Sequence, residues 1–182
     1  MRSIIFALIA LLAGSAAAED SAKPPQWFLD DISAMTADGG RWIADNKAYK
    51  NDNETFDAYA IEWVSGFDGT TMTGRLFGIR DGKETPNFWE FRQYWHPGRK
   101  QGVLEQFGWG GAVGIGVVTS GEDGEMITDQ EFFSVDGSVK RSGHISRFTD
   151  ANTHDSGSYD IIDGEWIADR QYVWKRQSPD KK

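Results

Sequence analysis

The chain has no cysteine and only 5 prolines in 182 residues. Without disulfides, the core alone must hold the fold. Histidine is scarce as well, at 3, and His96, His144 and His154 follow no metal-ligand spacing. No metal and no cofactor is therefore expected, and no residue pattern motivates haem. Positive charge is in the minority, with 19 Lys and Arg against 28 Asp and Glu. Such a surface repels phosphate backbones and anionic lipid, which argues against nucleic acid as a partner. Beyond the first residues, no apolar run approaches the length that spans a bilayer, about 20 residues.

The N-terminus carries Arg2, an apolar run from Ile4 to Ala13, and Ala16-Ala17-Ala18 before acidic Glu19-Asp20. This is the charged, apolar and A-x-A order of a cleavable signal peptide, expected over residues 1–18. No cysteine stands at the cleavage point to take a lipid anchor. Cleavage would shift the net charge from −9 to about −10 and leave about 164 residues, enough for one domain with a sizeable core. The expected location is periplasmic or secreted, with no integral membrane segment after cleavage.

Residues 19–39 read as a leader. Trp27, Phe28, Ile32 and Met35 recur at helical spacing after Pro24-Pro25, and Gly39-Gly40 would end the helix. From 40 to 176 the pattern changes to strands, and 177–182 reads as a disordered tail. Turn signals recur at Phe67-Asp68-Gly69, Asp81-Gly82, His96-Pro97-Gly98, Asp123-Gly124, Asp136-Gly137, Ala151-Asn152 and Asp163-Gly164. Between them lie about ten segments rich in aromatics, Val, Ile and Thr, near 41–49, 54–65, 70–80, 84–96, 101–109, 112–120, 124–134, 139–149, 153–162 and 165–175. No helical stretch separates them, so neighbours should pair antiparallel. The expected class is all-β, an antiparallel up-and-down barrel of about 8–10 strands with a short N-terminal helix. An open sheet or sandwich is the alternative.

Tight turns fix register, and register decides which side chains share a face. A loop at Gly66–Gly69 puts Trp63 opposite Met72, Ile61 opposite Gly74 and Tyr59 opposite Leu76. The Asp81-Gly82 turn puts Gly74 opposite Trp89 and Met72 opposite Phe91. One inner face then carries Tyr59, Ile61, Trp63, Met72, Leu76, Trp89, Phe91, Gln93 and Trp95. The C-terminal turns place Trp166 against Ile161, Arg170 against Gly157, Tyr159 against His144, Asp155 against Phe148, and His144 against Asp129. A second inner set follows: Asp129, His144, Asp155, Tyr159 and Arg170 among Phe148, Trp166 and Tyr172.

Buried charge is costly unless paired, so this set implies mutual pairing, water or a ligand. As a binding site, aromatic walls would hold an apolar body while Arg170, Tyr159 and His144 orient a carboxylate or carbonyl. The expected ligand-binding residues are Tyr59, Trp63, Met72, Trp89, Phe91, His144, Tyr159 and Arg170. Asp129, His144 and Tyr159 could also form an acid–base set, although no nucleophile stands beside them. A non-catalytic envelope interaction module with a packed barrel is a third class, and would show an exposed apolar patch. The Gly-rich run Gly108–Gly116 leads into Val117-Val118-Thr119 rather than a helix, so it reads as a strand turn and not a phosphate cradle.

Gly40-Arg41-Trp42, opening the first strand after a short helical leader, resembles the lipocalin signature. The closing run Tyr172-Val173-Trp174-Lys175-Arg176 supplies the basic residue that packs over that Trp in lipocalins. The Thr-Asp of a second lipocalin motif has two possible matches, Thr128-Asp129 and Thr149-Asp150. The mature chain is similar to bacterial exported lipocalin-like domains of the calycin superfamily. A plain lipocalin has eight strands, and a count near ten is more similar to the fatty-acid-binding or haem-binding calycin branches. The resemblance implies a closed barrel whose cavity holds a small hydrophobic or amphipathic molecule.

Overall fold

A computed structural model of the protein describes residues 22–178. The expected signal peptide at 1–18 and residues 179–182 of the expected tail lie outside the described residues.

Helix α1, Gln26–Thr36, starts where Pro25 fixes an extended backbone, and the Pro25 carbonyl accepts from Phe28 N at 3.1 Å. Its apolar spacing puts Phe28 and Ile32 on one fully buried stripe. Ten strands follow: β1 Arg41–Asp45, β2 Ala58–Gly66, β3 Thr71–Arg80, β4 Lys83–His96, β5 Gln101–Gly108, β6 Val113–Ser120, β7 Met126–Phe133, β8 Val139–Asp150, β9 Thr153–Ile162 and β10 Glu165–Arg176. Each pairs antiparallel with its sequence neighbour, and β1 pairs β10 to close the barrel. Closure removes the two free edges that an open sheet would expose.

Gly40 marks the passage from helix to barrel. Its φ of 63° is left-handed, and a Cβ there would sit 2.0 Å from the Trp63 carbonyl oxygen. Only glycine lets β1 start this close to β2, where Trp63 N donates to Gly40 O at 2.9 Å. Trp42 then enters the core fully buried and donates its indole N–H to Met35 O at 2.9 Å. The Arg176 guanidinium stacks on the Trp42 ring at 4.1 Å and donates to the carbonyls of Ala34 (2.8 Å), Ala37 (2.6 Å) and Ala151 (2.9 Å). One end of the barrel is thereby sealed by α1, with Phe28 and Trp27 packed edge-on against Trp95.

β1 ends at Asp45, short of the expected 49, and β2 starts at Ala58 rather than 54. The cause is Asn46, fully buried, whose side-chain amide donates to Glu54 Oε1 at 3.0 Å and Phe56 O at 3.2 Å. Those bonds fold residues 46–57 into a strap at the other end of the barrel.

The registers correct the sequence reading in two different ways. In the first half the shifts are even. The 67–70 loop moves the β2–β3 pairing by two, so Trp63 faces Gly74, Ile61 faces Leu76 and Tyr59 faces Gly78. The Asp81-Gly82 turn pairs Arg80 with Lys83 as expected, but two irregularities around Phe77 bring Gly74 opposite Phe91 and Leu76 opposite Trp89. Partners change and faces do not.

In the second half the shifts are odd. Asp136 Oδ1 accepts from Ser138 N at 2.9 Å and widens the β7–β8 turn, so Thr128 rather than Asp129 faces His144. A bulge at Thr149 pairs His144 with Ser158 and Gly143 with Tyr159. A further bulge at Asp169 pairs Arg170 with Ser158 and Tyr172 with Ser156. Each odd step turns side chains to the opposite face. Asp129, Asp155, Tyr159 and Trp166 therefore point outward, against the expectation. Asp129 forms a bidentate ion pair with Arg141, Asp155 is exposed, and the Trp166 ring lies 5.5 Å from Tyr159.

Candidate functional site

The barrel encloses a cavity of about 630 Å³. Seven of the eight expected binding residues line it: Tyr59, Trp63, Met72, Trp89, Phe91, His144 and Arg170. The eighth, Tyr159, is a correction, because the bulges put it on the outer surface. The Asp129–His144–Tyr159 acid–base set does not assemble, since only His144 faces inward.

Strands β2 to β4 build one wall. Tyr59, Ile61 and Trp63 alternate inward on β2, and Trp89 and Phe91 follow on β4. Trp63 and Phe91 lie 5.2 Å apart at 31°. Gly74 between them makes this possible, because a Cβ there would stand 2.5 Å from the Trp63 ring. The wall is largely aromatic and apolar, with Gln93 of β4 as its polar member.

In a ring of ten strands, β3 and β8 lie five places apart either way round, so β7 to β9 form the facing wall. Here most inward side chains are polar: Thr128 on β7, Ser142, His144 and Ser146 on β8, and Ser156 and Ser158 on β9, while Met126 and Phe132 of β7 are apolar and Phe132 meets Trp89 edge-on at 5.5 Å. Sequence reasoning missed this wall except for His144. Its trace was legible as period-two alternation in Ser142-Gly-His144-Ile-Ser146 and Ser156-Gly-Ser158. Ser156 Oγ accepts from Trp174 Nε1 at 2.9 Å and Ser142 Oγ donates to Tyr159 O at 2.9 Å.

Several buried polar groups in or near the hollow have no hydrogen-bond partner among the described residues. They include both amide atoms of Gln130, Oε1 of Gln106, the Trp63 indole N–H and both ring nitrogens of His154. Each is buried to less than a tenth of its full exposure. His154 stacks on Trp174 at 8° and meets Trp42 edge-on at 4.7 Å. Burial, aided by nearby Arg176, pushes its pKa down to about 4, so the ring is neutral at pH 7. Burial also holds the His144 pKa below the usual imidazole value, with Asp169 opposing weakly.

Arg170 does not extend a free guanidinium into the hollow. Its two terminal nitrogens grip the Glu54 carboxylate at 2.7 Å each. Tyr59 Oη (2.7 Å) and Asn46 Nδ2 (3.0 Å) donate to the same Glu54 oxygen, while Tyr172 Oη donates to Asn46 Oδ1 at 2.9 Å. The Arg170 fork holds the Glu54 pKa down at about 2. Glu54 was missed in the sequence because its strap was expected to be strand. The network latches residues 46–57 to β10 at the end of the barrel opposite α1.

Asp31 of α1 reaches the floor, where Gln93 Nε2 donates to it at 3.0 Å and burial raises its pKa to about 6. Among the described residues, no group of three or more His, Asp and Glu is placed to hold a metal ion. No helix among them is long and apolar enough to cross a membrane. No family model matches this chain, and no curated protein matches it.

Proposed function

We propose that this protein is an exported, lipocalin-like carrier that holds a small hydrophobic or amphipathic ligand inside its barrel. One observation carries the reading: a cavity of about 630 Å³ with an aromatic wall facing a mostly polar one, lined by Gln106 and His154, whose buried amide oxygen and ring nitrogens find no partner among the described residues. Pockets of this size take ligands of drug-like dimensions, roughly 300–1,000 Å³. The Arg176–Trp42 stack, joined to Gly40 and a closed barrel, supports kinship with calycins.

Native mass spectrometry of the protein purified from its own host is the direct test, with a retained mass of a few hundred daltons as the expected result. Tryptophan fluorescence should also be quenched by a lipophilic probe, and the quenching lost in Trp89→Ala. No retained mass together with no quenching by any probe would end the carrier reading. Export predicts a mature N-terminus at Glu19, read by N-terminal sequencing.

A second reading is favoured by the outer surface. Phe107, Val113, Phe133 and Val139 stand in one cross-strand row on β5 to β8, and Trp109 and Val135 at the loop tips are 87% and 80% exposed. Such a patch suits an envelope interaction module. That reading expects a Trp109→Ser variant to lose association measured by analytical ultracentrifugation with envelope extracts, with the interior left unchanged.

A further inference from the structure

The charges around the cavity are distributed unevenly. Its two strong cations are already engaged: Arg170 by Glu54, and Lys140 by Asp160 at 2.7 Å. Burial lowers the His144 pKa and takes that of His154 to about 4, which favours the neutral rings at pH 7. What remains unpaired by a cation is acidic, namely Asp31 at the floor and exposed Asp169 at the rim. An anion drawn into this space would meet no free positive charge and two like ones. A cation fares little better, because Asp31 sits on α1 at the sealed end and Asp169 on β10 near the strap. A charge held midway between them would lose its water without a facing carboxylate.

An uncharged molecule fits what the middle does offer. Cross-strand pairs Thr128–His144, His144–Ser158 and Ser146–Ser156 gather hydroxyls and an imidazole into one patch. Thr128 and Ser146 make no side-chain hydrogen bond among the described residues, and the patch faces Trp63, Trp89 and Phe91 across the hollow.

We propose that the cavity takes an uncharged, flat ring compound with hydroxyl or carbonyl groups along one edge, and excludes carboxylates. This rests on the carrier reading above and narrows it. The ring lies on the Trp63–Phe91–Trp89 wall, and its polar edge meets Thr128, His144 and Ser146. Fatty acids and other simple carboxylates are poor guests in the protein as it stands.

Four probes on one skeleton test this by isothermal titration calorimetry at pH 7.5, using the purified mature protein. They are naphthalene, 2-naphthol, naphthalene-2-carboxylate and 2-naphthylmethylammonium. The expected order puts 2-naphthol about tenfold tighter than either ion and a few-fold tighter than naphthalene. Ser146→Ala should weaken 2-naphthol about threefold and leave naphthalene unchanged. Glu54→Gln releases the Arg170 fork, so carboxylate binding should strengthen about tenfold while 2-naphthol binding, which reports the intact cavity, stays the same. Carboxylate or ammonium binding as tight as 2-naphthol in the unmodified protein overturns the proposal and leaves the carrier reading standing. Failure of all four probes to bind, with no retained cargo, overturns both.

Discussion

The two facing walls of the cavity are built on opposite physical plans. Strands β2 to β4 offer large rings locked by mutual contact, such as Trp63 against Phe91 over Gly74. Strands β7 to β9 offer mainly small hydroxyl side chains around His144, with Met126 and Phe132 of β7 among them. The first wall is where packing energy resides. The second is expected to contribute less to stability.

Deleting a ring from the first wall should separate the two plans most sharply. Trp63→Ala removes a side chain only 7% exposed and should cost about 3–5 kcal/mol in urea unfolding. A cost under 1 kcal/mol would show the aromatic wall to be loosely held.

The pH dependence comes next. His154 titrates near 6.5 when unfolded and near 4 when folded, so the unfolded chain binds the extra proton between those values. Its contribution is fully present above pH 6.5 and is lost as pH falls toward 4, by up to about 3 kcal/mol. His154→Phe keeps the stack on Trp174 and should flatten this part of the stability profile, followed by thermal unfolding from pH 7 to 4. An unchanged slope would mean that His154 is already solvated.

A smaller effect is expected at the strap. Glu54→Gln weakens the charge-assisted bonds to partly exposed Arg170 and should cost about 1–2 kcal/mol, after allowance for solvent screening. Faster hydrogen exchange across residues 46–57 would locate the loss there. Least affected should be Ser146→Ala and Ser158→Ala, each within about 0.5 kcal/mol of the parent in unfolding. A large cost at either serine would make the polar wall structural and erase the contrast between the two sides.

The strand count, the antiparallel order and the N-terminal helix were legible because Asp-Gly turns and alternating aromatics are local signals. The aromatic wall was legible too, for a reason of parity. Around Phe77 the ladder slips by two, and a slip of two leaves Trp89 and Phe91 facing inward. The polar wall was misread because Thr149 and Asp169 each insert one residue, and a slip of one sends Tyr159 outside and brings Ser158 in. No turn motif announces such a bulge. Glu54 was hidden differently: its role depends on Asn46 and Arg170, the latter 116 residues away in the chain. The resemblance to lipocalins rested on Gly40-Arg41-Trp42 and the closing run Tyr172–Arg176, of which Trp42 and Arg176 meet in space.

The barrel closes through a narrow seam. Trp42–Arg176 and Ile43–Lys175 are the register pairs between β1 and β10, Gln177 N donates to Arg41 O beyond them at 2.8 Å, and Arg176 reaches a carbonyl 139 positions earlier, that of Ala37. Every other ladder can zip between neighbours as the chain emerges, but this one must wait for the last strand. Until then, both outer strands of the growing sheet are sticky, and the ring is an open ribbon. Shortening the chain by a few residues before Arg176 should therefore yield a ribbon that aggregates rather than a slightly weaker ring.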